Sequence, residues 1–548
     1  GVVSGIADDP NGWNAPYQAA FPSGQASVAG VNEMPWGQPN NESTRMFINA
    51  GYELNNGAEL YGWTNYSESK GDGSFFYRYP GNGTIEFTRE ADGEIYFPLE
   101  KFPGGFTPRF EGEVTDLGAA AGYRGEGNDG FSYDVSVRFG ENEVDYRLFN
   151  TINPSMGRAS PTDFRPGSLT NTELQFQVDL INEFDGGLAS PVVFAYGFSF
   201  MDEEYDVGQS TDVASYIDGP HALQDPYGFC DNGLPSAVAG GGVFPSTTAG
   251  VDIVGLDCTP GGGDPVYTVV GVGSNGFPGY SPAFSEKYSR DSYAVYGDLS
   301  ADVSDSLYIQ GAIRYEDYSD FGDEIVGKVA ARWKIADNMA IRGSVGTGFR
   351  APTPGQQGTT NVSTRLPNGF PVATGLFPAS GPVAQALGAS PLKAETSTSY
   401  TLGLTADIGE MTLTIDLYQI DLEDRLNSIS TRDVSTDPLG DPDAYANYRA
   451  LSGAGVVGAE SIGGVFYFTN AVDSKTQGVD IVASYPFEWS NGQSTTLQYA
   501  LNWNKNELSS DASAFLNAED RYDFENADPN IRWNATAIHT AGDLSLMG

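Results

Sequence analysis

The sequence predicts an all-β fold, a transmembrane antiparallel β-barrel of about 16 strands with few helices. Three observations carry this. Apolar residues recur at every second position in stretch after stretch, connections swing between tight turns and long polar segments, and no segment sustains a helical period. No run of about 18 apolar residues occurs either, so no transmembrane helix is expected.

Candidate strands run from residues 45–54 to 543–548. Phe131, Tyr133, Val135, Val137 and Phe139 alternate with Ser132, Asp134, Ser136 and Arg138. Leu174, Phe176, Val178 and Leu180 do the same, as do Phe194, Tyr196, Phe198 and Phe200. Later stretches are Leu307/Ile309/Ile313/Tyr315, Tyr400/Leu402/Leu404, Leu413/Ile415/Leu417 and Leu497/Tyr499/Leu501/Trp503. Each runs to roughly ten residues, the length of a tilted spanning strand.

Tight turns are signalled at Asn55-Asn56-Gly57, 125–130, Asp185-Gly186-Gly187, Ala336-Asp337-Asn338, Ile408-Gly409-Glu410 and Ser490-Asn491-Gly492. Gly, Asn and Asp supply the positive φ that hairpins require. Long polar segments lie between them, at 68–112, 150–170, 201–290, 350–392, 423–464 and 505–530, the largest being 201–290. Short turns on one side and long loops on the other is the asymmetry of an outer-membrane barrel. A soluble sandwich gives no reason for it, and a soluble secreted β-protein is the weaker alternative.

The 548 residues carry 72 Asp and Glu against 28 Lys and Arg, a formal charge of −44. Nucleic-acid binding is excluded, because phosphate contacts need clustered bases. Such acidity suits long loops in salty water. Neither an initiating Met nor a leader pattern occurs at Gly1, and the chain stops at Met547-Gly548 partway through a strand pattern. Residues 1–548 are therefore expected to be one partial barrel domain.

Chemical motifs are few. Gly271-Val272-Gly273-Ser274-Asn275-Gly276 matches GxGxxG, but Phe277-Pro278-Gly279 follows where a dinucleotide site needs a helix. It reads as a glycine-rich loop. Cys230 and Cys258, the two cysteines, fall in the same long segment. In an oxidising compartment they read as one disulfide, closing about 28 residues and restraining the loop by about 3–4 kcal/mol on the chain-entropy model. With only His221 and His539 available, no catalytic constellation forms, and neither an enzyme activity, a cofactor nor a metal is expected. A cation site among Asp202, Glu203, Glu204 and Asp206 is a minor alternative to a solvated acidic loop.

The stretch 341–353, containing Gly348-Phe349-Arg350-Ala351-Pro352, closely resembles the "GFRAP" signature of TonB-dependent outer-membrane receptors. The segment 314–322 looks like the strand two hairpins earlier in these barrels. Leu392-Lys393-Ala394-Glu395-Thr396 is similar to their "LKPET" strand start, with Ala394 in place of the usual Pro. The segment 416–425, then Asn470-Ala471 and Gln477-Gly478-Val479-Asp480, follow in the family's order. The resemblance covers about residues 35–548.

It implies a barrel of about 22 strands filled by an N-terminal plug. Plug, TonB box and several strands have no counterpart here, so the sheet is not expected to close by itself. It also implies the TonB-ExbB-ExbD complex as partner, outer-membrane lipids around the wall, and the outer membrane of a Gram-negative bacterium as location. The substrate would be a small molecule or glycan of the siderophore, cobalamin, haem or oligosaccharide class. Acidic loops argue mildly against an anionic siderophore, an argument that fades at seawater salt where the Debye length is roughly 4 Å. A plugless porin-like channel or a surface adhesin barrel is the alternative function.

Within the signature, Gly346 and Gly348 allow close approach of backbone or plug, and Pro352 and Pro354 end the strand. Arg350 either faces the lumen and meets a plug or wall carboxylate, or snorkels at the strand end. Loop aromatics Tyr205, Tyr216, Tyr227, Phe229 and Tyr280 either stack on a sugar or macrocycle, or pack on one another.

Overall fold

The computed structural model describes residues 2–3, 34–35, 40–79, 84–102, 104–127, 130–282, 285–365, 372–456 and 459–548. Sixteen strands form one sheet in strict chain order, each antiparallel to the next. The first eight are β1 (Asn40–Glu53), β2 (Glu59–Ser74), β3 (Arg109–Glu126), β4 (Phe131–Phe149), β5 (Asp163–Phe184), β6 (Val192–Gly208), β7 (Lys287–Ser304) and β8 (Leu307–Tyr318). The rest are β9 (Gly322–Ala336), β10 (Met339–Arg350), β11 (Glu395–Ile408), β12 (Met411–Ser428), β13 (Phe468–Glu488), β14 (Ser494–Leu508), β15 (Ile531–Ala541) and β16 (Leu544–Met547). β1 and β16 are the two edges of this sheet.

Register turns the period-2 pattern into continuous rows. Tyr52, Leu60, Tyr123, Val135, Val178, Phe198, Val295, Tyr315 and Ile325 stand side by side across β1 to β9. Leu307, Trp333, Ile341, Leu404, Ile415, Ile481, Leu501 and Trp533 continue the band from β8 to β15. These side chains share the outward face, each partly or fully exposed and none buried; Ile325 is 62% and Trp533 68% exposed. An apolar sheet face of that extent is what a lipid-facing wall presents. On the opposite face of the same strands stand Asp134, Asp179, Arg314, Arg332, Arg342, Asp416 and Asp480.

Two expectations need correction. Most strands are longer than ten residues, β5 reaching 22, because ladder hydrogen bonding continues after the apolar rows stop. On β6, outward Phe198 and Phe200 give way to outward Asp202, Glu204 and Asp206 while the pairing with β5 and β7 goes on. The long segment predicted at 201–290 is accordingly a connection of 209–286. Second, the alternation of short and long connections breaks once. β8 and β9, whose junction lies on the long-loop side, are joined by residues 319–321 alone. The predicted tight turns otherwise fall between strands, with Gly57, Gly187, Gly409 and Gly492 at positive φ; Asn128 and Asp129 lie outside the described residues.

The buried core sits in the loops. One cluster packs Phe377, Leu387, Ile429, Leu451, Val465 and Tyr467 from the connections after β10 and β12. Another packs Ile85, Phe97, Leu99, Phe106 and Ile152. Helices are few and belong to these connections, the longest being Pro442–Gly453, capped by the Asp441 side chain.

Candidate functional site

The signature residues lie where β10 leaves the sheet. Arg350 is its last strand residue, and its guanidinium forks onto Glu395 of β11, with Nε–Oε1 2.8 Å and Nη2–Oε2 2.9 Å. Glu395 is buried (8% exposed) and also accepts the Leu426 amide of β12. Arg350 thus meets a wall carboxylate, and one ion pair ties three strand ends together. Pro352 and Pro354 follow, and Thr353 caps a single turn, Pro354–Gly358, reciprocated by Gln356. A Cβ on Gly348 would stand 3.0 Å from Ser397 Oγ, and one on Gly346 3.3 Å from the Gly327 carbonyl. Both glycines are thus crowded by the wall itself. Phe349 sets its ring edge-on to Tyr318 at 6.1 Å.

Sequence reasoning missed the group that fixes this corner. Arg290 of β7, 7% exposed, donates from Nε to Glu203 of β6 and from Nη1 to the Pro352 carbonyl. It lies 3.7 Å from Asp320 and covers the Tyr318 ring at 5.1 Å. Strand alternation also dissolves the suggested acidic site. Glu203 points inward to Arg290, whereas Glu204 and Asp206 point outward and share Lys287.

The five aromatics do not form one surface, and Tyr205, expected in a loop, lies in β6 paired with Asn171 and Tyr288 because the ladder runs on to Gly208. Tyr205 and Tyr280 come near one another: Tyr280 packs edge-on against Phe277, which contacts Phe110 and Tyr146, while Tyr205 reaches Thr359 Oγ1 at 3.4 Å. Burial raises the Tyr280 phenol pKa. Tyr227 (5% exposed) and Phe229 (0%) sit with Val266 in the interior of the largest loop, so self-packing accounts for both. Tyr216 follows the turn Val213–Ser215 and is half-buried. Which aromatics are buried depends on how loops dock, and composition carries no trace of that.

Loops after β2, β4 and β6 dock as one assembly. Arg89 and Asp264, each with its side chain 4% exposed, pair at Nε–Oδ1 2.9 Å and Nη2–Oδ2 2.7 Å. Asp264 also accepts the Asp257 and Val266 amides, and Arg89 Nη1 donates to the Gly93 carbonyl. Cys230 and Cys258 are joined in a disulfide with their Cα atoms 5.5 Å apart. His221, also buried, lies 3.3 Å from Glu90. The GxGxxG stretch is a strap here: the Gly271 carbonyl accepts the Ser155 amide, and Asn275 bonds Ile152, Thr151 and Arg78. No helix opens at Gly276.

Glu90 and Asp264 give this assembly an acid limit. Burial disfavours charge on both carboxyls. The His221 and Arg158 contacts at Glu90, and the Arg89 fork with two amides at Asp264, more than offset it, so both sit below the ordinary carboxylate range. A depressed carboxyl contributes stability that is complete above its unfolded pKa and lost as pH falls through its folded one. The assembly is expected to loosen below about pH 4, seen as faster amide exchange across residues 220–230 and 257–267. A flat exchange profile on acidification would contradict this.

Lower on the inner wall, tyrosines and carboxylates interlock. Tyr61 donates to Asp134 at 2.7 Å and Tyr296 to Asp179 at 2.5 Å. Arg342 forks onto Asp416 across Gly403.

A family model described as "TonB dependent receptor-like, beta-barrel" matches residues 43–546. Among solved structures, a double mutant of the ferric enterobactin receptor PfeA from Pseudomonas aeruginosa is 12% identical with a TM-score of 0.51. The match covers 98% of this chain and 60% of that one. The FrpB iron transporter from Neisseria meningitidis is 11% identical (TM-score 0.48; 96% and 62% covered). The RagAB peptide importer in its closed-closed state is 12% identical (TM-score 0.47; 87% and 48%). At 12% identity the likeness to PfeA concerns the fold alone, and the chain spans 60% of the length of the PfeA chain. The family match over nearly the whole chain, on a sixteen-stranded sheet apolar outside and polar inside, shows that this chain belongs to the TonB-dependent receptor-like β-barrel family.

Proposed function

We infer that the chain forms wall and extracellular mouth of an importer in the outer membrane of a Gram-negative bacterium. It takes up a scarce solute of the siderophore, cobalamin, haem or oligosaccharide class, driven from the inner membrane through the TonB-ExbB-ExbD complex. The observation that supports this most is the docked loop assembly, held by a buried ion pair and a disulfide beside a polar inner wall. Preorganised loops suit capture of a dilute ligand, because little ordering entropy remains to be lost on binding.

Uptake of labelled ligands from these four classes, in a deletion strain and its complemented parent, tests the reading. Uptake of one class should require both this protein and TonB. Uptake that persists without TonB would mean the passive channel instead, and surface binding without uptake would mean an adhesin.

The membrane assignment has its own check. Val295→Arg, on the outward face of β7, should cost about 2–4 kcal/mol near the bilayer midplane. Gln310→Arg, on the inward face beside Asp298, should be tolerated. Refolding into lipid vesicles against denaturant measures both, and equal costs would contradict a lipid-facing outer surface.

A further inference from the structure

We propose that the Cys230–Cys258 bridge is a redox-controlled clasp, whose reduction by a thiol releases the contacts that hold residues 89–94 of the connection after β2. The bridge closes a loop with a sequence separation of 28 inside the connection after β6, and that closed loop carries docking contacts. From within it, Ser246 Oγ donates to the Ala91 carbonyl at 2.7 Å. Ile253 lies so close to Gly93 that a Cβ there would stand 2.7 Å from its Cγ1. Near its far end the Asp257 amide donates to Asp264 Oδ2 at 3.0 Å, steadying the carboxylate that Arg89 grips. The bridge joins the two ends. The Cys230 amide donates to Asp225, and the Cys258 carbonyl accepts the Tyr267 hydroxyl, each at 2.8 Å.

The path from Cys258 to Asp264 runs through Gly261, Gly262 and Gly263, with φ of +77° at Gly261 and +87° at Gly263. Glycine loses more conformational freedom on ordering than any other residue, so this turn frays first once the crosslink opens. Opening also returns closure entropy to the chain. Docking elsewhere does not pass through the bridge. His221 contacts Glu90, and the strap at 271–275 bonds Ser155, Ile152 and Arg78. Cys258 is 3% exposed and Cys230 half-buried, so the reductant's thiolate attacks Cys230 Sγ. The S–S bond breaks with its electron pair leaving on Cys258, which takes a proton and has the Phe229 carbonyl 3.8 Å away as acceptor. A second thiolate resolves the mixed disulfide; Cys230 leaves, takes a proton, and the reductant ends as a disulfide, oxidised by two electrons.

The test is amide exchange of the full protein, purified from membranes in non-ionic detergent, with and without dithiothreitol. Alkylation and mass spectrometry count the freed thiols. Both cysteines should be freed, with exchange faster by about tenfold or more over residues 89–94 and 230–264. Exchange over 151–157 and 271–275 should not change, and reoxidation should restore the slow rates. Cys230→Ser with Cys258→Ser should exchange at the reduced rate and ignore dithiothreitol. A bridge that stays closed in the folded protein overturns the proposal, since it would then be a fixed staple. Unchanged rates over 89–94 after reduction, equal acceleration over 151–157, or no recovery on reoxidation overturn it as well.

Discussion

Replacing Arg89 with alanine is expected to cost the loop assembly about 3–5 kcal/mol. The loss comes from what remains. Asp264 would keep its place in the interior with two backbone amides but no countercharge. Its choice would be to open the loop to water or take up a proton. The damage should stay local, because the wall's ladder does not run through this pair and local opening is a separate equilibrium. Faster amide exchange over residues 85–100 and 257–267, with unchanged exchange in β9 to β12, is the expected signature. Arg89→Met with Asp264→Leu should recover most of the loss, since a buried pair exchanged for packed apolar groups is often near neutral. Unaltered exchange in the single variant would falsify the claim that this pair holds the loops together.

A loss of similar size, about 3–5 kcal/mol, is expected for Arg290→Ala. Glu203 would be left buried at 8% exposure, and the Pro352 carbonyl would lose its donor. Arg290→Lys should rescue little, because one ammonium cannot serve a carboxylate, a carbonyl and a ring together. A double-mutant cycle with Glu203→Gln separates the ion pair from the contact to Pro352. If the Pro352 bond counts, Arg290→Ala in the Glu203→Gln background still speeds exchange across residues 353–360. If it does not, the cycle shows no remaining cost there.

Parts of this molecule that depend on local pattern were legible in the sequence. Alternation at β4, β5 and β6 gave the wall and its two faces, because strand geometry sends neighbouring side chains to opposite sides. The signature at Gly348–Pro352 was legible for a similar reason, being one contiguous stretch. Strand ends were not. Beyond Phe200 the outward face of β6 turns polar, and nothing in Asp202 to Asp206 says that pairing with β5 and β7 persists. The three-residue link at 319–321 was hidden because the segment 314–322 read as one strand. Arg89 and Asp264 lie 175 residues apart, and no spacing rule joins them. For Tyr227 and Phe229 the sequence left ligand stacking and self-packing both open for the same reason, since their burial is decided by loops that meet only in three dimensions.

The placement of the core in the loops has a consequence for the order of assembly. Each strand pairs with its neighbour in sequence, so the wall is built from hairpins whose closure needs little chain entropy, especially across the two-residue link between β7 and β8. The Cys230–Cys258 bridge lies within a single connection and can form while the wall is incomplete. Arg89 and Asp264 cannot meet until β3 to β6 are in place between them. The crown therefore sets only after the first six strands have paired, and a protein with a paired wall and an unset crown is the species that a failing loop mutation would accumulate.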